Sequence, residues 1–135
     1  MDARFLLDTN ICIYIRRQRP AEILARFEKL RSGEAVISII TYGELMYGVE
    51  KSRFREQATK QLAELAGLLP VMELPLRAGD IYGAIRAALE SKGEVVGNND
   101  LWIAAHAKAA GYTLVTNNEH EFRRIQGLKI QNWVD

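Results

Sequence analysis

Five carboxylates stand at positions where a short apolar run meets a polar one: Asp8, Glu44, Asp100, Glu119 and Glu121. Acids gathered at one place repel one another, so their approach needs compensation, and a hard divalent cation is the usual compensation. Oxygen donors and water suit Mg²⁺ or Mn²⁺ rather than zinc. Histidines at 106 and 120 and a single cysteine at 12 make none of the usual zinc spacings. A metal held by carboxylates makes a nucleophile of bound water near neutral pH and neutralises phosphodiester oxygens. With no histidine base and no nucleophilic serine pattern beside them, such acids point to phosphodiester hydrolysis.

That chemistry requires elements that bring distant residues to one place. Residues 4–8 (RFLLD) read as a short buried strand, and residues 11–17 as a helix running into Pro20. Pro20 suits the first turn of a second helix, AEILARFEKL, with Ile23, Leu24, Phe27 and Leu30 at helical spacing. AVISII (35–40) is a β-branched apolar run and reads as a second strand. Helices follow from Thr41 to Lys51 and over 54–68, then a strand VMEL (71–74) and a helix over 76–92. Asn99-Asp100 opens another helix, which Gly111 ends. TLVT (113–116) is a strand, 118–124 one or two helical turns, and LKIQNW (128–133) a weak last strand. Short apolar strands alternating with helices predict a parallel sheet covered on both faces. Ligands of such sheets bind beyond the carboxyl ends of the strands. All five acids fall on that edge.

Each acid also has a local explanation. Asp8-Thr9-Asn10 can cap a helix. Thr41-Tyr42-Gly43-Glu44 has the form of a capping box with Thr41 as N-cap. Asp100 complements the dipole of the helix it opens, and Asn118-Glu119-His120-Glu121 resembles a box with a less usual cap. Their coincidence on one edge is what separates a site from a set of caps.

The bulk numbers bound the remaining choices. The 135 residues, 48% of them hydrophobic, suit a single domain over 1–135 with its own core. A lone cysteine excludes an intramolecular disulfide and fits a reducing cytoplasm. The apolar stretch 5–15 is broken by Asp8 and Asn10 and is too short and polar to span a membrane. The formal net charge of +1 neither announces nor excludes a nucleic-acid partner, since local patches decide that.

Taken together, FLLDTNICIYI, ISIITYGELMYGVEKS, GNNDLWIAAHAKAAGYTLVTNNEHEF and IQGLKIQNW resemble the PIN-domain ribonucleases, most closely the VapC toxins of type II toxin–antitoxin pairs, over essentially the whole chain. The resemblance implies a three-layer α/β/α domain with a central, mostly parallel sheet of four to five short strands. It implies a Mg²⁺- or Mn²⁺-dependent endoribonuclease, with transfer RNA a plausible substrate. It also implies a homodimer neutralised by a VapB-type antitoxin, with operator DNA reached only through the antitoxin. The family's first three acids fall on Asp8, Glu44 and Asp100, and its threonine after the fourth strand on Thr116. Where many relatives carry a further Asp, this chain has Asn118, which adds no charge; Glu121, rather than Glu119, then stands as the fourth acid. Asn10 either supports Asp8 by hydrogen bonding or caps a helix. Arg16, Arg17 and Arg19 are the first candidates for holding the RNA backbone. Trp102 and His106, four apart on one helical face, read as packing rather than catalysis, and Met46, Tyr42 and Tyr47 as core or dimer residues rather than stacking platforms for RNA bases.

Two rivals stay open on sequence alone. A phosphotransfer or receiver domain also ends a strand on Asp, but the phosphatase pattern needs a second Asp where Asn10 stands. A catalytically weak PIN-fold module acting mainly through antitoxin and operator binding would keep the fold without the chemistry.

Overall fold

The computed structural model describes residues 3–134. Five short strands carry the fold: β1 (Phe5–Leu7), β2 (Ala35–Ser38), β3 (Val71–Met72), β4 (Thr113–Val115) and β5 (Ile130–Gln131). They lie in the order β3-β2-β1-β4-β5, and every neighbouring pair is parallel. Parallel strands need covered crossovers, and the helices supply them: α1 (Thr9–Arg17), α2 (Ala21–Glu28), α3 (Ile39–Lys51), α4 (Arg55–Leu68), α5 (Arg77–Ser91), α6 (Asn98–Ala110) and α7 (Glu119–Phe122). No helix among the described residues is long and apolar enough to cross a membrane.

Side-chain alternation along each strand divides the core in two. Phe5, Leu7, Ile37 and Val115 face the layer made by α1, α2, α4 and most of α3. Leu6, Val36 and Leu114 face the layer of α5, α6 and α7. Both faces being buried, the strands read as unbroken apolar runs rather than alternating ones. Strand order reverses between β1 and β4, so the crevice such a sheet offers a ligand opens where Asp8 and Thr116 leave those two strands.

The sequence-based boundaries shift in places, each for a local reason. α1 starts at Thr9 rather than 11, because the Asp8 carboxylate already accepts the Ile11 N–H. Pro20 is the N-cap of α2 rather than part of its first turn, with extended backbone (ψ 159°) and no side-chain cap. The fourth strand ends at Val115, β3 has only two residues and β5 two, shorter than the apolar runs around them. Gly111 closes α6 in the left-handed region (φ 77°), as expected.

The largest correction concerns α3. Thr41 is not its N-cap; Ser38 is, its Oγ accepting the Ile40 N–H at 3.1 Å. The second strand therefore stops at Ser38, and Ile39 and Ile40 belong to the helix. The reason is tertiary: Ser38 Oγ also meets His106 Nδ1 of α6 at 2.9 Å, and both groups are buried. Burial lowers the His106 pKa, so the neutral ring is the form that packs here. Ser38→Ala removes a cap, about 1 kcal/mol, and leaves the His106 nitrogen without its partner, about 1–3 kcal/mol more. Urea denaturation should show a loss of about 2–4 kcal/mol; a loss under about 0.5 kcal/mol would contradict the bridge.

Candidate active site

Asp8 is buried, 5% exposed, directly after β1. Its backbone N–H donates to the Val115 carbonyl at 3.0 Å, tying the ends of β1 and β4 together. One carboxylate oxygen accepts the Ile11 N–H at 2.9 Å and so caps α1. The other accepts the Thr116 hydroxyl at 2.5 Å. Burial raises the Asp8 pKa; the Thr116 and Ile11 hydrogen bonds oppose the rise, and the charge of Glu44 adds to it. The cap and the strand-end carboxylate are thus one side chain.

Glu44 projects from the second turn of α3. With Thr41 no longer the cap, the capping-box explanation of Glu44 lapses. Its carboxylate accepts the Thr9 hydroxyl at 2.5 Å and the Asn99 amide at 3.3 Å, which links α3 to the starts of α1 and α6. Asp100 lies in the first turn of α6. Among the described residues nothing donates a hydrogen bond to its carboxylate, and its pKa is pushed up to about 6. Burial is the main cause, followed by the charges of Glu121, Asp8 and Glu44 in that order.

Glu121 is brought into this group and Glu119 is not. Glu121 accepts the Gly97 N–H at 2.9 Å and the Asn118 amide at 2.6 Å. Glu119 instead pairs with Arg123 at 2.7 Å and accepts the Asn132 amide at 2.9 Å, which holds its pKa below the ordinary range. Thr116 and Asn118 act as connectors. Thr116 donates to Asp8 and accepts the Asn118 N–H at 2.9 Å, so Asp8, Thr116, Asn118 and Glu121 form one hydrogen-bonded chain across β1, β4 and α7.

Other expected residues lie elsewhere. The Asn10 side chain is exposed and takes part in no side-chain hydrogen bond among the described residues; Thr116 and the Ile11 N–H support Asp8, with a smaller part from the Asn10 backbone. Arg16 and Arg17 sit in the last turn of α1, about 10–12 Å of helix from its capped start, and Arg19 lies beyond its C-cap, Gln18. None of the three forms an ion pair with these acids among the described residues. Trp102 is stacked on Tyr82 with ring centroids 3.9 Å apart, and His106 is buried, so both pack as expected. Met46 and Tyr42 lean on the core, whereas Tyr47 is 64% exposed.

Sequence reasoning missed Thr9, Asn99 and Gly97. Thr9 and Asn99 each stand beside a site acid and were legible only as helix-start residues; both steady Glu44 across long sequence separations.

The donor set is oxygen alone, which fits Mg²⁺ or Mn²⁺. No three acid, histidine or cysteine side chains among the described residues are already drawn to ligand spacing around one point. Like charges account for that: three of the acids are held apart by protein donors, and Asp100 faces them with none of its own. A cation entering the group would meet an unpartnered carboxylate and a field that favours its positive charge.

The family model of the PIN domain matches residues 5–128. A Haemophilus influenzae protein named Ribonuclease VapC2 is 40% identical over 131 residues, covering 97% of this chain and 98% of its own length. A Shigella flexneri protein named tRNA(fMet)-specific endonuclease VapC is 39% identical over 130 residues, covering 96% and 98%. Among solved structures, VapBC2 from Rickettsia felis bound to a DNA fragment from their promoter superposes with a TM-score of 0.90 at 40% identity, over 98% of this chain and 99% of that one. Likeness of this degree extends along nearly the whole length of each chain, and the five parallel strands and their order agree with it: the chain belongs to the PIN-domain family, among the VapC ribonucleases of VapBC toxin–antitoxin systems.

Proposed function

We propose that the protein is a Mg²⁺- or Mn²⁺-dependent endoribonuclease in which Asp8, Glu44 and Asp100 hold the metal, with Glu121 as the fourth acid. The observation that carries this is the half-buried Asp100, whose carboxylate has no donor among the described residues and whose pKa is pushed up to about 6 by burial first and then by the charges of Glu121, Asp8 and Glu44. A protein keeps an acid in so unfavourable a place when something positive is meant to join it. When bound, such an ion supplies an activated water and neutralises phosphodiester oxygens.

The chain's own residues supply the rest. Asp8 is fixed at both oxygens by Ile11 and Thr116, and so offers a rigid floor. Glu44, steadied by Thr9 and Asn99, orients the attacking water. Asn118 and the Gly97 N–H hold Glu121 at the opposite side. The start of α6 turns its positive end to the same crevice, where it favours the scissile phosphate. Arg16 and Arg17 in the last turn of α1, with Arg19 beyond it, hold the RNA backbone away from the cut.

Transfer RNA is the proposed substrate, supported by the name of the Shigella flexneri relative. A VapB-type antitoxin is the proposed partner, supported by relatives solved as VapBC on promoter DNA; operator DNA is then reached through the antitoxin. An antitoxin Arg or Lys entering the acid group would inhibit by taking the place of the cation. We place the working protein in the cytoplasm as a homodimer, in keeping with its lone buried thiol, Cys12.

Two measurements test the reading. Purified protein with transfer RNA and Mg²⁺ or Mn²⁺ should give discrete cuts, mapped by sequencing the new 5′ ends, and EDTA should stop them. Calorimetry should show binding of the metal in the micromolar to millimolar range. No heat with either ion would favour the weak module that acts through antitoxin and operator binding.

A further inference from the structure

Glu44 does not stand alone on its helix. Tyr47 follows it by three residues and Lys51 follows Tyr47 by four, so acid, ring and cation share one face of α3. The Lys51 ammonium lies 4.9 Å from the centroid of the Tyr47 ring. The ring is 64% exposed, and Ile39 beside it is 43% exposed. Tyr47, Ile39, Ile40 and Gly43 line one open cavity with Thr9, Glu44 and Asn99. The cavity holds about 620 Å³. One end is therefore the carboxylate edge, and the other is an aromatic and aliphatic wall in which Ile40 leans on the core while Tyr47 and Ile39 stand exposed.

Resting on the ribonuclease reading, we propose that this wall is a nucleobase subsite, in which Tyr47 stacks the base of the nucleotide adjoining the phosphodiester that is cut. Residues three apart on a helix carry their Cβ atoms about 5–6 Å apart. A base on Tyr47 thus belongs to the nucleotide next to a phosphate held at the ion that Glu44 would help to bind, and Lys51 is placed for the phosphate beyond it. A flat exposed ring is tolerant of which base it takes, since every base has a π-face. A positive charge at the ring suits an anionic strand more than an apolar protein segment. Gly43 keeps the cavity open: a Cβ built there meets nothing within 4 Å, so a side chain at 43 would occupy the cavity and not the core.

The test compares wild type with Tyr47→Phe, Tyr47→Ala and Gly43→Leu. The probes are a fluorescein-labelled oligoadenylate 12-mer and an abasic 12-mer of the same backbone, followed by anisotropy with Ca²⁺ present. Oligoadenylate should bind about tenfold more weakly to Tyr47→Ala and to Gly43→Leu, and unchanged to Tyr47→Phe. The abasic strand should bind all four proteins alike. Cleavage of transfer RNA should show the Tyr47→Ala loss in KM rather than kcat. Equal losses on both strands, or none on either, would overturn the subsite while wild-type cleavage still upheld the ribonuclease. An unchanged affinity with a changed molar mass in light scattering would assign the wall to a second copy of the chain and overturn the subsite as well. Wild-type protein that neither cuts nor binds RNA would remove the ribonuclease reading and the subsite with it. Should Gly43→Leu fail to fold, Tyr47→Ala still decides, because its exposed ring supports no core residue.

Discussion

Asp8→Asn should lower RNA cleavage by about a thousandfold or more, close to 4 kcal/mol of barrier, while the protein stays folded and at least as stable as wild type. Both halves follow from the same side chain. The amide oxygen can still accept the Ile11 N–H and keep the cap on α1. What is lost is a buried negative charge. Burial raises the folded pKa of Asp8 above its ordinary value, so at neutral pH the charge opposes folding, and removing it relieves that cost. Against this stands the Thr116 hydroxyl, which loses its carboxylate acceptor, a term of about 1 kcal/mol in the other direction. The alanine variant is a poorer instrument. It strips the cap and leaves both the Ile11 N–H and the Thr116 hydroxyl without partners, a destabilisation of about 2–4 kcal/mol. An Asn variant that is folded by circular dichroism and cleaves RNA at the wild-type rate would end the assignment of Asp8 to the metal.

The opposite pattern would be informative about the fold. Asp8, Thr116, Asn118 and Glu121 link the ends of β1 and β4 to α7 through their side chains and the Asn118 N–H. A site that is also a structural strut should lose stability when its acids are neutralised; a site held under electrostatic stress should gain it. The raised pKa values of Asp8 and Asp100 argue for stress.

Much of this was legible in the residues, and the parts that were not have physical causes. The alternation of short β-branched runs with helical spacing carries the parallel sheet, because strands buried on both faces leave no polar residues to obscure them. The acids fall on one edge because a parallel sheet sends every strand end the same way. Helix starts were less legible. Ser38 and Thr41 are both good caps within one apolar stretch, and local sequence cannot rank them; His106, far along the chain, decides by bonding Ser38. The same limit hid Thr9 and Asn99, whose partner Glu44 lies on another element. Asn10 and Arg16 and Arg17 are near Asp8 in sequence, but the helix leaves the Asn10 side chain exposed and puts the two arginines in its last turn. Tyr47 read as an apolar residue on a helix, and only the fold leaves its ring outside the core.

Between about pH 4 and pH 6 Asp100 should cost the metal-free protein stability as pH rises. Its folded pKa is pushed up to about 6 from the ordinary 3.8. Within that interval the folded state holds a proton that the unfolded state has released, so raising the pH favours unfolding. The slope from one such group is at most about 1.4 kcal/mol per pH unit. Asp8 acts in the same direction. His106 acts oppositely: burial lowers its pKa, so its contribution is lost as pH falls through the ordinary histidine range. Comparing wild type with Asp100→Asn at each pH removes the His106 contribution to first order and leaves that of Asp100 together with its coupling to Asp8, Glu44 and Glu121. The variant should be the more stable protein at pH 7, and the difference should shrink towards pH 4. Added Mg²⁺ or Mn²⁺ competes with the same proton. It should raise the wild-type Tm more at pH 7.5 than at pH 5.5, with an apparent affinity falling about tenfold per unit below pH 6, and should leave Asp100→Asn nearly unmoved. Equal pH profiles for the two proteins would show that Asp100 carries no excess charge stress, and the argument for a cation among these acids would lose its main support.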